Sequence, residues 1–165
     1  MSPVNVIYVA YQVIVVVGTV VHWLVAGPRT GRRFAEVLLL WLFVVDVGVA
    51  GLMGFYAHTA MAAETAASIG WAPGSPFQFE VAVANLAFGV LGILCVWLRG
   101  LWWWATAVGI SVFLLGAAYG HVQQIVEAGN RSPGNAGAVL YADILIPLVL
   151  LALLAGRRWL ARSDR

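Results

Sequence analysis

Lysine is missing from this chain of 165 residues, and cysteine occurs once. All nine basic residues are arginine, which suits a GC-rich genome and points to no particular chemistry. The lone thiol, Cys95 in LGILCVWL, excludes a disulfide or a multi-thiolate metal centre built within one chain. Charge is scarce: 10% of the residues are Asp, Glu, Lys or Arg, against about 25% in an ordinary soluble domain. No HExxH and no Glu-x-x-His pair occurs, so the strong sequence signatures of metal sites on helices are missing. The formal charge of +2 is no nucleic-acid signal, because the arginines stand at the ends of apolar runs and not on one basic surface.

What is abundant is apolar. Hydrophobic residues make up 62% of the chain and the mean hydropathy is +0.92. They fall in blocks near the roughly 20 residues that a helix needs to cross a bilayer. Read between breakers, the blocks predict one all-α domain over 1–165, a bundle of five transmembrane helices at 4–26, 35–60, 76–98, 101–128 and 136–155. The start, MSPVNVIYVAYQ, lacks a basic n-region and its apolar run is too long for a signal peptide, so it is read as a retained first span. The second helix is expected to continue as an amphipathic extension to about Ser68. LRGLWWW (98–104) leaves room for only a very tight turn, yet a single span cannot cover both flanking runs.

Arg29, Arg32, Arg33, Arg99, Arg157, Arg158, Arg162 and Arg165 share one side if the N-terminus is outside, and Arg131 alone takes the other. The positive-inside rule makes the first side cytoplasmic, giving N-out/C-in. Trp23, Trp41, Trp97, Trp102–Trp104 and Trp159 fall near the same inner ends, as an interfacial belt would. The expected setting is a bacterial cytoplasmic membrane. The partners expected are the lipid bilayer and either other membrane subunits or a second copy of the chain, with no nucleic acid.

Local signals suggest how the helices begin and pack. SPFQ (75–78) reads as a helix start, with Ser75 as N-cap, Pro76 as first helical residue and Gln78 returning a bond to the cap. Asn135, after the PGN turn, is the expected N-cap of the fifth helix. Small residues at contact spacing, Gly48, Gly51 and Gly54, Gly89 and Gly92, and a GxxxG at Gly116 and Gly120, let backbones approach closely in lipid.

Ionisable groups inside a span cost about 2.5–3.5 kcal/mol on insertion scales, so each calls for a partner or a cavity. Gln12, His22, Asp46, His58, Glu80, Asn85, His121 and Asp143 are the candidates. His121 and Asp143 each stand eight residues from the connector bounded by Gly129 and Asn135. Antiparallel neighbours then share a depth roughly 12 Å in from the helix ends. Pro147 removes the hydrogen bond to the carbonyl four residues back, that of Asp143. Glu80 and His58 fall on the same outer half. Two imidazoles and two carboxylates suit Zn, Fe, Mn or Cu, so His121, Asp143, Glu80 and His58 are the candidate metal ligands. A haem held by His58 and His121 fits less well, since no CxxCH accompanies them. Asp46 lies deeper, about 18 Å along the helix axis from His58. With Gln12 and Asn85 it is either a proton or ion pathway or a satisfied buried group.

GWAPGSPFQFEVAVANLAFGVLGI (70–93) and YGHVQQIVEAGNRSPGNAGAVLYADILIP (119–147) resemble an uncharacterised family of small bacterial and archaeal multi-span proteins. The resemblance covers the C-terminal half and implies that Glu80, Asn85, His121, Asn130, Asn135 and Asp143 belong to one pattern. It implies no activity. The residues themselves point to a polar, metal- or cation-binding site in the outer half of the bundle, in an enzyme version acting on a lipophilic substrate. The alternatives are an accessory or scaffold subunit, or a small proton- or ion-coupled transporter marked by Asp46.

Overall fold

The computed structural model describes residues 1–163, and side chains as far as Arg157. The chain folds as α1 (Pro3–Val25), α2 (Gly31–Thr59), α3 (Ala62–Ile69), α4 (Phe77–Leu94), α5 (Leu101–Ala128), the single turn α6 (Pro133–Ala136) and α7 (Ala138–Ser163), with no strand among the described residues. Five stretches are long and apolar enough to cross a membrane: α1, α2, α4, α5, and the α6–α7 stretch over Pro133–Arg157. Large apolar side chains face outward along α1, as lipid contact demands.

The helix ends follow the local chemistry in part. Ser2 caps α1 by accepting from Asn5 N at 3.3 Å, with Pro3 as its first residue. Thr30 caps α2 in the same way, its hydroxyl accepting from Arg33 N. SPFQ behaves differently from expectation. Ser75 is exposed, α4 starts at Phe77 after Pro76, and the backbone carbonyl of Ser75 accepts from Gln78 N. The side chain of Gln78 turns inward to the carbonyl of Ala62 at 2.7 Å, so no capping box forms. The amphipathic extension of α2 is likewise a separate helix. Met61 leaves helical geometry (φ −121°, ψ 37°), and α3 then runs to Gly70, whose φ of 84° ends it.

Within α2 the turn widens to π geometry over Leu42–Val49. Six of those eight residues are buried, Asp46 among them. Such segments inside α-helices recur at functional sites.

Glycines decide which helices pair. α2 packs most extensively on α4, α5 packs on α7, and α1 lies against α2 and α7. A Cβ on Gly92 would stand 2.5 Å from Gly48 N, and one on Gly51 would stand 2.7 Å from Gly89 Cα. The α2–α4 contact is thus backbone against backbone, where dispersion in lipid is greatest. The GxxxG of α5 does not serve this purpose: a Cβ at Gly116 or Gly120 meets nothing within 4 Å. α5 instead turns Trp103, Thr106, Ala107, Ile110, Ser111 and Ala118 into the bundle. α4 and α5, though adjacent in sequence, meet sparingly, through Phe88 against Phe113 and Trp102 Nε1 donating to Leu91 O.

The up-and-down order gathers the α1–α2 loop, the α4–α5 turn and the end of α7 at one end, where Arg32, Arg99 and Arg157 line one cavity. The side chains of Arg158, Trp159, Arg162 and Arg165 lie outside the described residues. Asn5 ties the opposite end together: its Oδ1 accepts from Ala138 N at 2.9 Å, joining the start of α1 to that of α7.

Gly92→Val is expected to overpack the α2–α4 contact at about 1–3 kcal/mol, lowering the melting temperature in detergent by several degrees. Gly116→Val, on an open face, is expected to leave it unchanged or slightly raised.

Candidate functional site

The connector between α5 and α7 is built around one buried amide. Gly129 ends α5 in the left-handed region (φ 63°) and Asn130 Oδ1 accepts from Ser132 N, before Pro133 opens the one-turn α6. This turn places Asn135 at 0% exposure. Asn135 Nδ2 donates to two carbonyls, Asn130 O at 2.9 Å and His121 O at 3.3 Å. The orientation of the amide is therefore fixed by donors that only its nitrogen can supply. Its Oδ1 faces His121 Nδ1 at 2.7 Å, so Nδ1 carries the hydrogen and donates it.

With Nδ1–H committed to Asn135, Nε2 is the ring nitrogen that faces Asp143. It lies 3.6 Å from Asp143 Oδ2, and both side chains are largely buried. The separation is that of an ion pair and longer than a well-formed hydrogen bond. Pro147, fully buried four residues further along α7, supplies no N–H to the carbonyl of Asp143.

A second polar station lies deeper. Asp46, 6% exposed, sits within the π segment of α2. Gln12 Nε2 donates to its Oδ1 at 2.8 Å, while Oδ2 is buried without a partner among the described residues. An unpartnered buried carboxylate oxygen is costly. Tyr8 and Tyr11 of α1 stand near these stations. Their rings meet edge to face at 6.2 Å, and Tyr8 stands within electrostatic reach of both Asp143 and Asp46.

The His121 station is tied to an open pocket of about 660 Å³, whose lining includes Trp71, Gln78, Gln124 and Asn130. Asn130 Nδ2 donates to Ile69 O and Gln124 Oε1, each at 2.8 Å. Hydrogen bonds thus run from the pocket wall through Asn130 and Asn135 to His121, which stands in ion-pair contact with Asp143.

A family model matches residues 5–163, covering every residue of both stations. The chain belongs to DUF6790, a family of unknown function. No curated protein and no solved structure matches this DUF6790 chain, so the chemistry has to be read from its own side chains.

The four candidate metal ligands do not converge in this DUF6790 chain. His121 and Asp143 face each other, but His58 Nδ1 accepts from Gln78 Nε2 at 3.4 Å, and its ring lies 6.4 Å from that of Trp71. Glu80 is exposed in the first turn of α4. Among the described residues no three His, Cys, Asp or Glu side chains come close enough to hold one metal ion. The cause is helix pairing: α4 is drawn to α2, which turns Glu80 away from the α5–α7 interface. Asn85 is likewise separate from Asp46, donating to Val81 O on its own helix and packing over Gly54. Asn135 is a clamp on His121 and not the cap of α7, a role that Asn5 fills across 133 residues of sequence.

Sequence reasoning missed Asn5, Tyr8 and Tyr11. For the tyrosines a signal existed, since Tyr8, Tyr11 and Gln12 follow i, i+3, i+4 spacing and share one helix face. For Asn5 none did.

Asn135→Leu is expected to leave His121 Nδ1–H and two carbonyls without partners, each orphaned group costing about 1–3 kcal/mol. The melting temperature should fall sharply. In ¹⁵N-histidine NMR spectra the parent chain should show His121 protonated at Nδ1 at every pH at which it is folded.

Proposed function

We propose that this chain is a proton-coupled membrane carrier, in which the His121–Asp143 pair exchanges protons with the outer pocket and Asp46 is a second station within the bundle. The observation that carries this reading is the clamp of Asn135 on His121, which holds Nδ1 and turns Nε2 toward the buried Asp143 carboxyl. Ionisable groups in membrane spans mark ion and proton pathways by default, and chains of Asp and His are their usual material. Tyr8 adds a hydroxyl within electrostatic reach of both aspartates.

By helical rise, Thr19, Thr106 and Ser111 stand on the arginine side of Asp46. The hydroxyls of Thr19 and Ser111 are buried without a partner among the described residues, and that of Thr106 meets the Cys95 thiol. A role in packing alone gives no reason for Asp46 Oδ2 to stay unpartnered. Among the described residues His121 and Asp143 are two ligands where catalytic zinc takes three, so they favour a metal-dependent reading less. In this reading the arginine-rich end faces the bacterial cytoplasm, giving N-out/C-in, and the pocket opens to the outer side.

Infrared difference spectra between acidic and alkaline buffer test the proposal directly. The parent protein should show carboxylic-acid carbonyl bands that titrate, one lost in Asp143→Asn and another in Asp46→Asn. In proteoliposomes, proton uptake driven by a potassium diffusion potential should fall about tenfold or more in either variant. Spectra in which neither carboxyl titrates would sink the proposal.

A further inference from the structure

At the arginine-rich end a cavity of about 350 Å³ opens between the start of α2, the α4–α5 turn and the end of α7. Arg32, Arg99 and Arg157 line it, together with Trp103 and Trp104. Three segments remote in sequence each bring a guanidinium to this place. Arg157 is within electrostatic reach of both Arg32 and Arg99, an arrangement that like charges oppose unless an anion joins them. Glu36 pairs with Arg157 and is, among the described residues, the only carboxylate in ion-pair contact with any of the three. Among the described residues one carboxylate stands against three guanidiniums, an excess of positive charge that suits an anion.

The cavity is also built and held. Trp103 is 1% exposed, and its indole N–H donates to Cys95 O at 2.9 Å, which locks the ring. Arg99 and Arg157 each rest over that ring, with the guanidinium carbon 5.2 Å from its centroid. A guanidinium held against an aromatic face keeps in-plane N–H donors for a second partner, and the planar fork matches the oxygens of a phosphate. Gly100, at φ 67°, makes the turn that sets Arg99 beside the first turn of α5. Around that turn Trp97, Leu98 and Leu101 expose apolar side chains, at 70%, 43% and 80%.

From this we infer that the cavity binds a phosphate group. The exposed apolar rim favours the phosphate of an anionic lipid, whose chains would lie along it, and basic pockets between spans take such headgroups. Free phosphate carries the same chemistry. The inference uses residues separate from both proton stations and does not depend on them.

Delipidated full-length chain in detergent is titrated with phosphatidylglycerol, with phosphatidylcholine and, separately, with inorganic phosphate, and bound ligand is counted by native mass spectrometry. Arg32→Gln/Arg99→Gln should weaken binding about tenfold or more. Arg29→Gln, which alters an arginine at the same end that bonds Leu24 O and does not line the cavity, should bind as the parent does. Saturable phosphatidylglycerol binding without inorganic phosphate binding assigns the lipid as source, and binding of inorganic phosphate alone assigns the free anion. Either supports the inference. No saturable binding in any arm overturns it, as does equal weakening by Arg29→Gln, which would mark a diffuse surface-charge effect. If the double variant melts early, Arg99→Gln alone is compared under the same criteria.

Discussion

Backbone-to-backbone contact between α2 and α4 sets the arrangement of everything else. Gly48, Gly51, Gly89 and Gly92 bring the two helices closer than any side chain would permit. Inside a bilayer no hydrophobic force pulls helices together, so closeness of this kind selects partners. Once α4 is spent on α2, α5 is left to pair with α7, and α1 closes the bundle across α2 and α7. The two polar stations then fall to different pairings. His121 and Asp143 belong to the α5–α7 interface, and Asp46 with Gln12 belongs to α1 and α2.

The His121 station owes its order to a short segment that looks like a mere connector. One turn of helix carries Asn135 beneath the end of α5, and three hydrogen bonds then settle the orientation of an amide and the tautomer of an imidazole together. Low dielectric makes such a fully satisfied network stiff and a half-satisfied one costly. Asp46 shows the opposite case, a carboxyl with one oxygen held and one left over. The first station is rigid by bonding. The second lies in the part of α2 where the helix itself departs from α geometry.

The five spans were legible in the sequence because a bilayer demands apolar blocks of a set length, and little else in a chain makes them. The shared depth of His121 and Asp143 could be counted, since a hairpin of two helices fixes it, and the structure sets them 3.6 Å apart. Helix pairing could not be read. Glycines at contact spacing occur on three helices, and spacing does not say which stripe meets which; that is why Gly116 and Gly120 looked as good as Gly89 and Gly92. Glu80 was placed with His121 by depth alone, although depth says nothing about azimuth. The caps failed for a related reason. SPFQ carries the right residues, but Gln78 found a better acceptor in Ala62 O, a residue whose position depends on the break at Met61. The π segment has no sequence mark at all: LFVVDVGV contains no proline and one glycine.

The clamp on His121 has a kinetic meaning as well as a structural one. Imidazole passes protons along a chain when one ring nitrogen receives while the other releases, after which the ring or the donors reset. With Nδ1–H held by Asn135, that exchange through the ring is closed. In the carrier proposed above the ring therefore has a single working nitrogen, and protons enter and leave by the same atom. The clamp makes such a site a turnstile and not a wire.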